Sequence, residues 1–144
     1  MIRCEASIHI ARSPAQVFAI LDDLERTPQW LERCVWIVQT SDGPRGAGTR
    51  LCFRYRDRGR EGELAGEVET YEPERRIIMK FTDRALDVRV VFELAAQGDS
   101  TYLTHSAEIT PKMFIIKVLS PWIRSSTRRQ MADVVDKLRK LAET

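Results

Sequence analysis

The sequence has 144 residues, of which 43% are hydrophobic and 31% are charged, a composition that suits one globular domain with one apolar core. Lysine and arginine number 23 against 21 aspartate and glutamate residues, and the net charge of only +2 argues against a dedicated nucleic-acid binder. No apolar run approaches the roughly 18 residues that a membrane span needs, so we expect no stable membrane anchor.

Cysteine and histidine are few and scattered along the chain. The three cysteines, Cys4, Cys34 and Cys52, show no Cys-x-x-Cys spacing, and their odd number favours free thiols in a reducing cytoplasm. With only two histidines, His9 and His105, the sequence argues against a zinc site. We therefore expect neither a metal nor a cofactor.

The N-terminal part of the chain predicts one strand and two helices. Apolar and polar residues alternate strictly over 2–10, which is typical of a half-buried strand. A serine–proline pair then supplies an N-cap, and apolar residues at helical spacing extend the predicted helix over 14–25. A threonine–proline pair repeats this signal and predicts a second short helix that carries Trp30 and Leu31.

Between residues 35 and 109 the pattern changes to strands separated by turns, about six strands in all. Alternation is clearest over 49–57, 61–71, 77–82, 88–94 and 101–109. If 58–59 and 98–99 are two-residue hairpin loops, arginines face glutamates across the first hairpin, and Phe92 faces His105 across the second. Both registers place charged groups on an outer face and apolar groups on an inner face.

The C-terminal part predicts a long amphipathic helix. Pro111 ends the strands, apolar residues recur at helical spacing beyond it, and Pro121 is expected to kink or interrupt the stretch. The helix is therefore predicted most strongly over 122–142. We expect its apolar side to face the sheet through Leu119, Ile123, Met131, Val134 and Leu138.

This order of elements predicts an α+β architecture with two short helices after the first strand. We expect a curved antiparallel sheet of about seven strands wrapped around the long C-terminal helix. No repeat or linker divides the sequence, so residues 1–144 are interpreted as one domain.

Four short segments and the closing helix together resemble a known superfamily. The segments are Ser13–Leu21, Thr27–Trp30, Gly46–Thr49 and Val68–Ile77. In this order and spacing they resemble the START-like, helix-grip proteins of the polyketide cyclase/dehydrase and lipid-transport superfamily. The resemblance implies an apolar cavity between the sheet and the C-terminal helix that holds a lipid-like or polycyclic ligand. It implies no shared set of catalytic residues, because the superfamily includes binders, transporters and enzymes.

The candidate ligand-binding residues are the apolar, aromatic and histidine side chains assigned to the inner face, with two near the start of the last helix. They are Phe53, Tyr55, Met79, Phe81, Val90, Phe92, His105, Val118 and Trp122, the last as a lid. His105 needs a hydrogen-bond partner among its apolar neighbours, either a backbone carbonyl, a tyrosine hydroxyl or water, or else a ligand.

Three functions are compatible with this pattern. The first is binding of a hydrophobic small molecule: a lipid, an isoprenoid or a polycyclic aromatic compound. The second is an enzyme of the cyclase/dehydratase type, in which His105 or Tyr55 would transfer protons. The third is a protein-interaction module with a vestigial cavity.

Two basic stretches are interpreted as solvated surface. The arginines of 54–60 face glutamates in the predicted hairpin, so we assign them to a charge-paired outer face and not to nucleic-acid binding. Arg124, Arg128 and Arg129 form a smaller cluster on the last helix. The sequence leaves a homodimer open.

Overall fold

Seven antiparallel strands form one sheet in the computed structural model, which describes residues 1–144. The order across the sheet is β1-β7-β6-β5-β4-β3-β2. From β2 to β7 every neighbour in the sheet is also the neighbour in the sequence, and β1 completes the sheet by pairing with β7. The strands are β1 Ile2–Ile10, β2 Cys34–Gln39, β3 Arg50–Asp57, β4 Arg60–Glu72, β5 Arg76–Thr82, β6 Leu86–Gln97 and β7 Ser100–Pro111.

Two short helices follow β1, as the sequence predicts. Helix α1 spans Pro14–Asp22 and begins with a capping box, in which the Ser13 hydroxyl accepts from the Gln16 backbone N–H and the Gln16 side chain accepts from the Ser13 N–H. It ends three residues before the predicted end at 25. The reason is Asp23, whose backbone is extended and whose carboxylate accepts from a backbone N–H two residues later, which starts a 3₁₀ turn. Helix α2 spans Thr27–Trp30.

The C-terminal stretch contains two helices, α3 at Phe114–Val118 and α4 at Ser120–Glu143. The interruption expected from Pro121 is confirmed, since proline lies in the first turn of α4, where its missing N–H costs nothing. No helix combines the length and the apolarity that a bilayer-spanning segment needs.

Both predicted hairpin registers are confirmed residue by residue. Phe92 pairs with His105 across β6 and β7, and Arg54 pairs with Glu63 across β3 and β4. Arg58 and its neighbouring glycine both have positive φ, of 54° and 77°, which is the twist-compatible turn of a two-residue hairpin.

The outer face of the sheet carries the ion pairs expected of a solvated surface. Arg54 lies 3.3 Å from Glu61 and 3.6 Å from Glu63, and Glu69 holds Lys80 at 3.1 Å and Arg89 at 2.9 Å. Hydrogen bonds from Lys80 and Arg89 outweigh the effect of desolvation and lower the pKa of Glu69. Two arginines at the tip of the β3–β4 hairpin, Arg58 and Arg60, are not paired in this way, because neither side chain has a carboxylate partner.

Helix α4 lies along the inner face of β1 and packs its C-terminal half against α1 and α2. Met131, Val134 and Leu138 are buried at 2%, 1% and 1% exposure, as expected for a helix that covers the sheet. One of the five expected contacts differs. Ile123 is only partly buried but packs against the cluster of Ile2 and Cys4, whereas Leu119 is 36% exposed because it precedes α4 at the break between the helices.

We expect Leu138→Ala to lower the free energy of unfolding by about 2–5 kcal/mol, because it opens a cavity in the core under α4. Leu119→Ala removes the same atoms from an exposed position and is expected to cost less than about 1 kcal/mol. Urea unfolding of both variants measures the difference. Equal losses would show that the helix covers the sheet along its whole apolar stripe.

Candidate ligand-binding face

One part of the sheet's inner face is apolar but incompletely covered. Because α4 lies along β1, the inner side chains of β3 to β6 near the β3–β4 hairpin are only half-buried. We call this region the inner groove. It consists of Phe53, Tyr55, Leu64, Met79, Val88 and Val90. Across the strands Phe53 pairs with Leu64 and Met79 pairs with Val90, and Phe81, which pairs with Val88 and lies 5.7 Å from Phe53, links the two sides of the groove.

Aromatic rings lie at the hairpin end of the groove. The rings of Phe53 and Tyr55 are stacked with centroids 6.4 Å apart, and Phe53 also lies 5.7 Å from Phe81. Two glycines of β4 make room for these rings. A Cβ atom at Gly62 would lie 2.5 Å from the Tyr55 hydroxyl oxygen, and one at Gly66 would lie 2.5 Å from Phe81 Cε1. Both rings therefore lie over glycine backbone.

His105 lies deeper on the inner face, opposite Phe92. The two rings are parallel within 3° with centroids 4.1 Å apart, and Nδ1 lies 3.2 Å from the carbonyl oxygen of Val91. Burial lowers the pKa of His105 to about 4, so the ring is neutral at pH 7 with Nδ1–H donating to that carbonyl. The partner is thus one of the backbone groups anticipated from sequence, and Nε2 makes no hydrogen bond to protein.

Trp30 is an interior residue that the sequence reasoning did not select as a site residue. Its indole lies edge-on to Phe92 with centroids 5.6 Å apart, so Phe92 is held between Trp30 and His105. The Nε1–H of Trp30 is fully buried and has no hydrogen-bond partner. An unpaired buried donor costs about 1–3 kcal/mol, so this atom suits an acceptor supplied from outside the chain.

The structure does not bring Tyr55 and His105 together. Tyr55 lies on β3 and His105 on β7, with three strands between them. The pKa shift of His105 arises from burial and the Val91 carbonyl alone, with no ionised side chain contributing. A proton-transfer pair between the two residues is therefore absent.

Two candidate residues near the last helix do not line the interior. Val118 is 56% exposed, and Trp122 is 51% exposed with the Arg58 guanidinium 4.0 Å from the centre of its ring. The break between α3 and α4 leaves these apolar side chains outside the core. The Trp122–Arg58 contact joins the start of α4 to the tip of the β3–β4 hairpin at the open end of the groove.

The opposite end of the interior is closed by polar contacts. The Tyr71 hydroxyl donates to the Asp22 carboxylate at 2.9 Å, and Arg45 lies 2.6 Å from the other oxygen of that carboxylate. The ring of Tyr71 packs edge-on against Phe18 of α1. Desolvation and the hydrogen bond to Asp22 raise the pKa of Tyr71, so its hydroxyl stays protonated and keeps donating.

Two surface depressions, of about 540 and 270 Å³, lie mainly on the outer face of the sheet, and Val88 is the one residue of the inner groove that lines either of them. The larger contains Glu67, Lys80, Arg89 and Glu108, most of them engaged in ion pairs. These depressions are lined mainly by charged and polar side chains, which do not suit an apolar ligand.

The thiols show no sign of nucleophilic activation. All three cysteines are free, and burial raises the pKa of Cys34 to about 11. No three His, Cys, Asp or Glu side chains converge anywhere in the structure.

We expect His105 to make folding stability depend on pH. Its pKa is about 4 in the folded state and 6.5 in the unfolded chain, so the unfolded state takes up a proton first as the pH falls. The free energy of unfolding is then expected to drop by about 2 kcal/mol between about pH 7.5 and about pH 5. Urea unfolding across this range measures the drop.

His105→Phe keeps the ring volume and is expected to remove most of that drop. His9→Gln is the matched control, because His9 is exposed on the outer face of β1 and its loss should leave the pH profile unchanged. The assignment to His105 fails if the His105→Phe profile keeps its full slope above about pH 5, where carboxylates contribute little.

Comparison with solved structures shows the same fold in proteins of low sequence identity. The START superfamily protein from Mycobacterium smegmatis superposes with a TM-score of 0.82 at 17% identity, covering 98% of this chain and 97% of its own. The TTHA0849 protein from Thermus thermophilus superposes with a TM-score of 0.81 at 15% identity, covering 98% of this chain and 97% of its own. The Zhui aromatase/cyclase from Streptomyces sp. R1128 superposes with a TM-score of 0.83 at 10% identity, covering 98% of this chain and 93% of its own.

The family comparison identifies the chain more directly. A search of curated proteins finds no significant match to the sequence. The family model described as polyketide cyclase/dehydrase and lipid transport, however, matches residues 1–143. With the antiparallel sheet and long C-terminal helix of its START-like structural neighbours, the chain belongs to the polyketide cyclase/dehydrase and lipid transport family.

Proposed function

We propose that the protein binds a hydrophobic small molecule, a lipid, an isoprenoid or a polycyclic aromatic compound, in the inner groove. The observation that carries this proposal is the incomplete cover of the groove, whose apolar and aromatic side chains are continuous with the core yet only partly buried. On this proposal residues 1–144 act as one ligand-binding domain.

The energy of binding would come from completing the burial of these side chains. Removing apolar surface from water stabilises a complex by about 25 cal/mol per Å², before the cost of association is subtracted. A flat or elongated ligand would fit between the rings of Phe53 and Tyr55 at the hairpin end and the aliphatic side chains of Met79 and Val90 further in.

The polar groups of the interior favour an uncharged polar end on the ligand. Trp30 offers an unpaired N–H, and His105 is neutral at pH 7 because burial lowers its pKa to about 4. Neither group compensates a buried carboxylate, whereas a carbonyl or hydroxyl oxygen needs only a neutral donor. We infer that such an oxygen enters first and that the apolar part of the ligand lies toward the hairpin.

A space-filling variant tests the proposal. We expect Val90→Phe to occupy the groove and to weaken binding of the neutral fluorescent probe N-phenyl-1-naphthylamine by about tenfold or more, since its ring excludes the probe. Val38→Phe adds the same ring at an exposed position on β2, outside the groove, and should leave probe affinity unchanged. Probe fluorescence measures binding, and urea unfolding measures stability.

The two readouts together decide the outcome. If the groove is open, Val90→Phe changes stability by less than about 1 kcal/mol, whereas insertion into a filled core costs about 1–3 kcal/mol. Loss of stability with unchanged probe affinity would contradict a binding site at this position.

A further inference from the structure

The exposed apolar surface of the protein is concentrated in one segment. Of nine large hydrophobic side chains that are exposed, six lie between residues 113 and 122. We call these six the apolar tip: Met113, Phe114, Ile115, Val118, Leu119 and Trp122. Phe114 is 79% exposed, and none of the residues of α3 is buried. Such a patch, formed by α3 and the residues on either side of it, marks an interaction surface.

The same part of the chain carries positive charge only. From 109 to 132 the sequence has five cations, Lys112, Lys117, Arg124, Arg128 and Arg129, and no aspartate or glutamate. Lys112 lies 3.2 Å from Asp87, and the other four make no ion pair. All four are exposed.

The β3–β4 hairpin adds positive charge beside the apolar tip. The Arg58 guanidinium lies 4.0 Å from the ring centre of Trp122, and Arg60 begins β4 directly after the turn. Of the nearby acids, Asp57 lies 3.9 Å from Arg33, and the Asp83 carboxylate, which accepts from two backbone N–H groups of its own turn, offsets at most one of these positive charges. The surroundings of the tip therefore have unneutralised positive charge.

We propose that the apolar tip is a reversible docking surface for an anionic lipid bilayer. Aromatic and aliphatic side chains flanked by lysine and arginine match an interface in which acyl chains lie beneath negative headgroups. Phe114 and Ile115 would enter the acyl boundary while Lys117 and Arg58 contact headgroups. Docking goes beyond the proposed ligand binding and does not require it.

A second copy of the chain fits this surface less well. In a two-fold dimer the patch would meet the same patch of the second copy, so Lys117 and the unpaired arginines of both copies would be brought close together. Like charges brought together in this way oppose association, whereas a negative membrane surface attracts each of them. The charge pattern therefore favours a bilayer over a homodimer.

Vesicle sedimentation of the full chain tests the proposal. We expect binding to phosphatidylcholine vesicles that contain about 30% phosphatidylglycerol, at least about tenfold weaker binding to pure phosphatidylcholine, and release as NaCl rises from about 0.05 to about 0.5 M. The double variant Phe114→Ser with Ile115→Ser should lose about tenfold or more of the binding, and Lys117→Glu about tenfold.

The control is Tyr102→Ser, which removes an exposed aromatic side chain from the outer face of β7 and should bind vesicles as the original chain does. Circular dichroism and thermal melting verify that each variant is folded. We expect all of them to fold, because the replaced side chains are exposed. Three results would overturn the proposal: no binding to anionic vesicles, equal binding by the double variant, or a dimer in sedimentation analysis that the double variant loses.

Discussion

The position of α4 along β1 determines which part of the sheet's inner face is covered. Met131 packs in a cluster with Ile2 and Cys4, and the Cys4 thiol donates to the backbone carbonyl of Arg124 at 3.7 Å. A helix about 10 Å across covers only about two strands spaced about 4.8 Å apart, while this sheet has seven. The remaining inner face must be covered by other elements or stay partly uncovered. In this chain one part is covered by other helices and another part is not.

The two ends of the inner face differ because only one has helices to cover it. At the end near α1 and α2, the core is completed by Phe18 and Trp30, and Tyr71, Asp22 and Arg45 close the border with charge-assisted hydrogen bonds. At the end near the β3–β4 hairpin the sheet extends beyond the helices. There the chain supplies only the short α3, so apolar side chains stay exposed on both sides of the opening.

The interior combines closely packed aromatic rings with a polar group that has no hydrogen-bond partner. Phe92 is fixed between the Trp30 indole and the His105 ring, and His105 is itself oriented by the Val91 carbonyl. Packing thus satisfies the shape of the core but leaves the Trp30 N–H unpaired. An unpaired buried donor of this kind costs about 1–3 kcal/mol.

The sequence by itself determined the elements, their order and the hairpin registers, because these follow from local rules. Alternation assigned Phe92 and His105 to one face, and two-residue loops set the pairing of β3 with β4 and of β6 with β7. The family resemblance likewise rested on local motifs and is confirmed by the family model. The exposure of Val118 and Trp122, the unpaired Trp30 N–H and the partial burial of the inner groove were decided only by tertiary structure. Each depends on where α4 crosses a sheet wider than itself, and no local pattern encodes that placement.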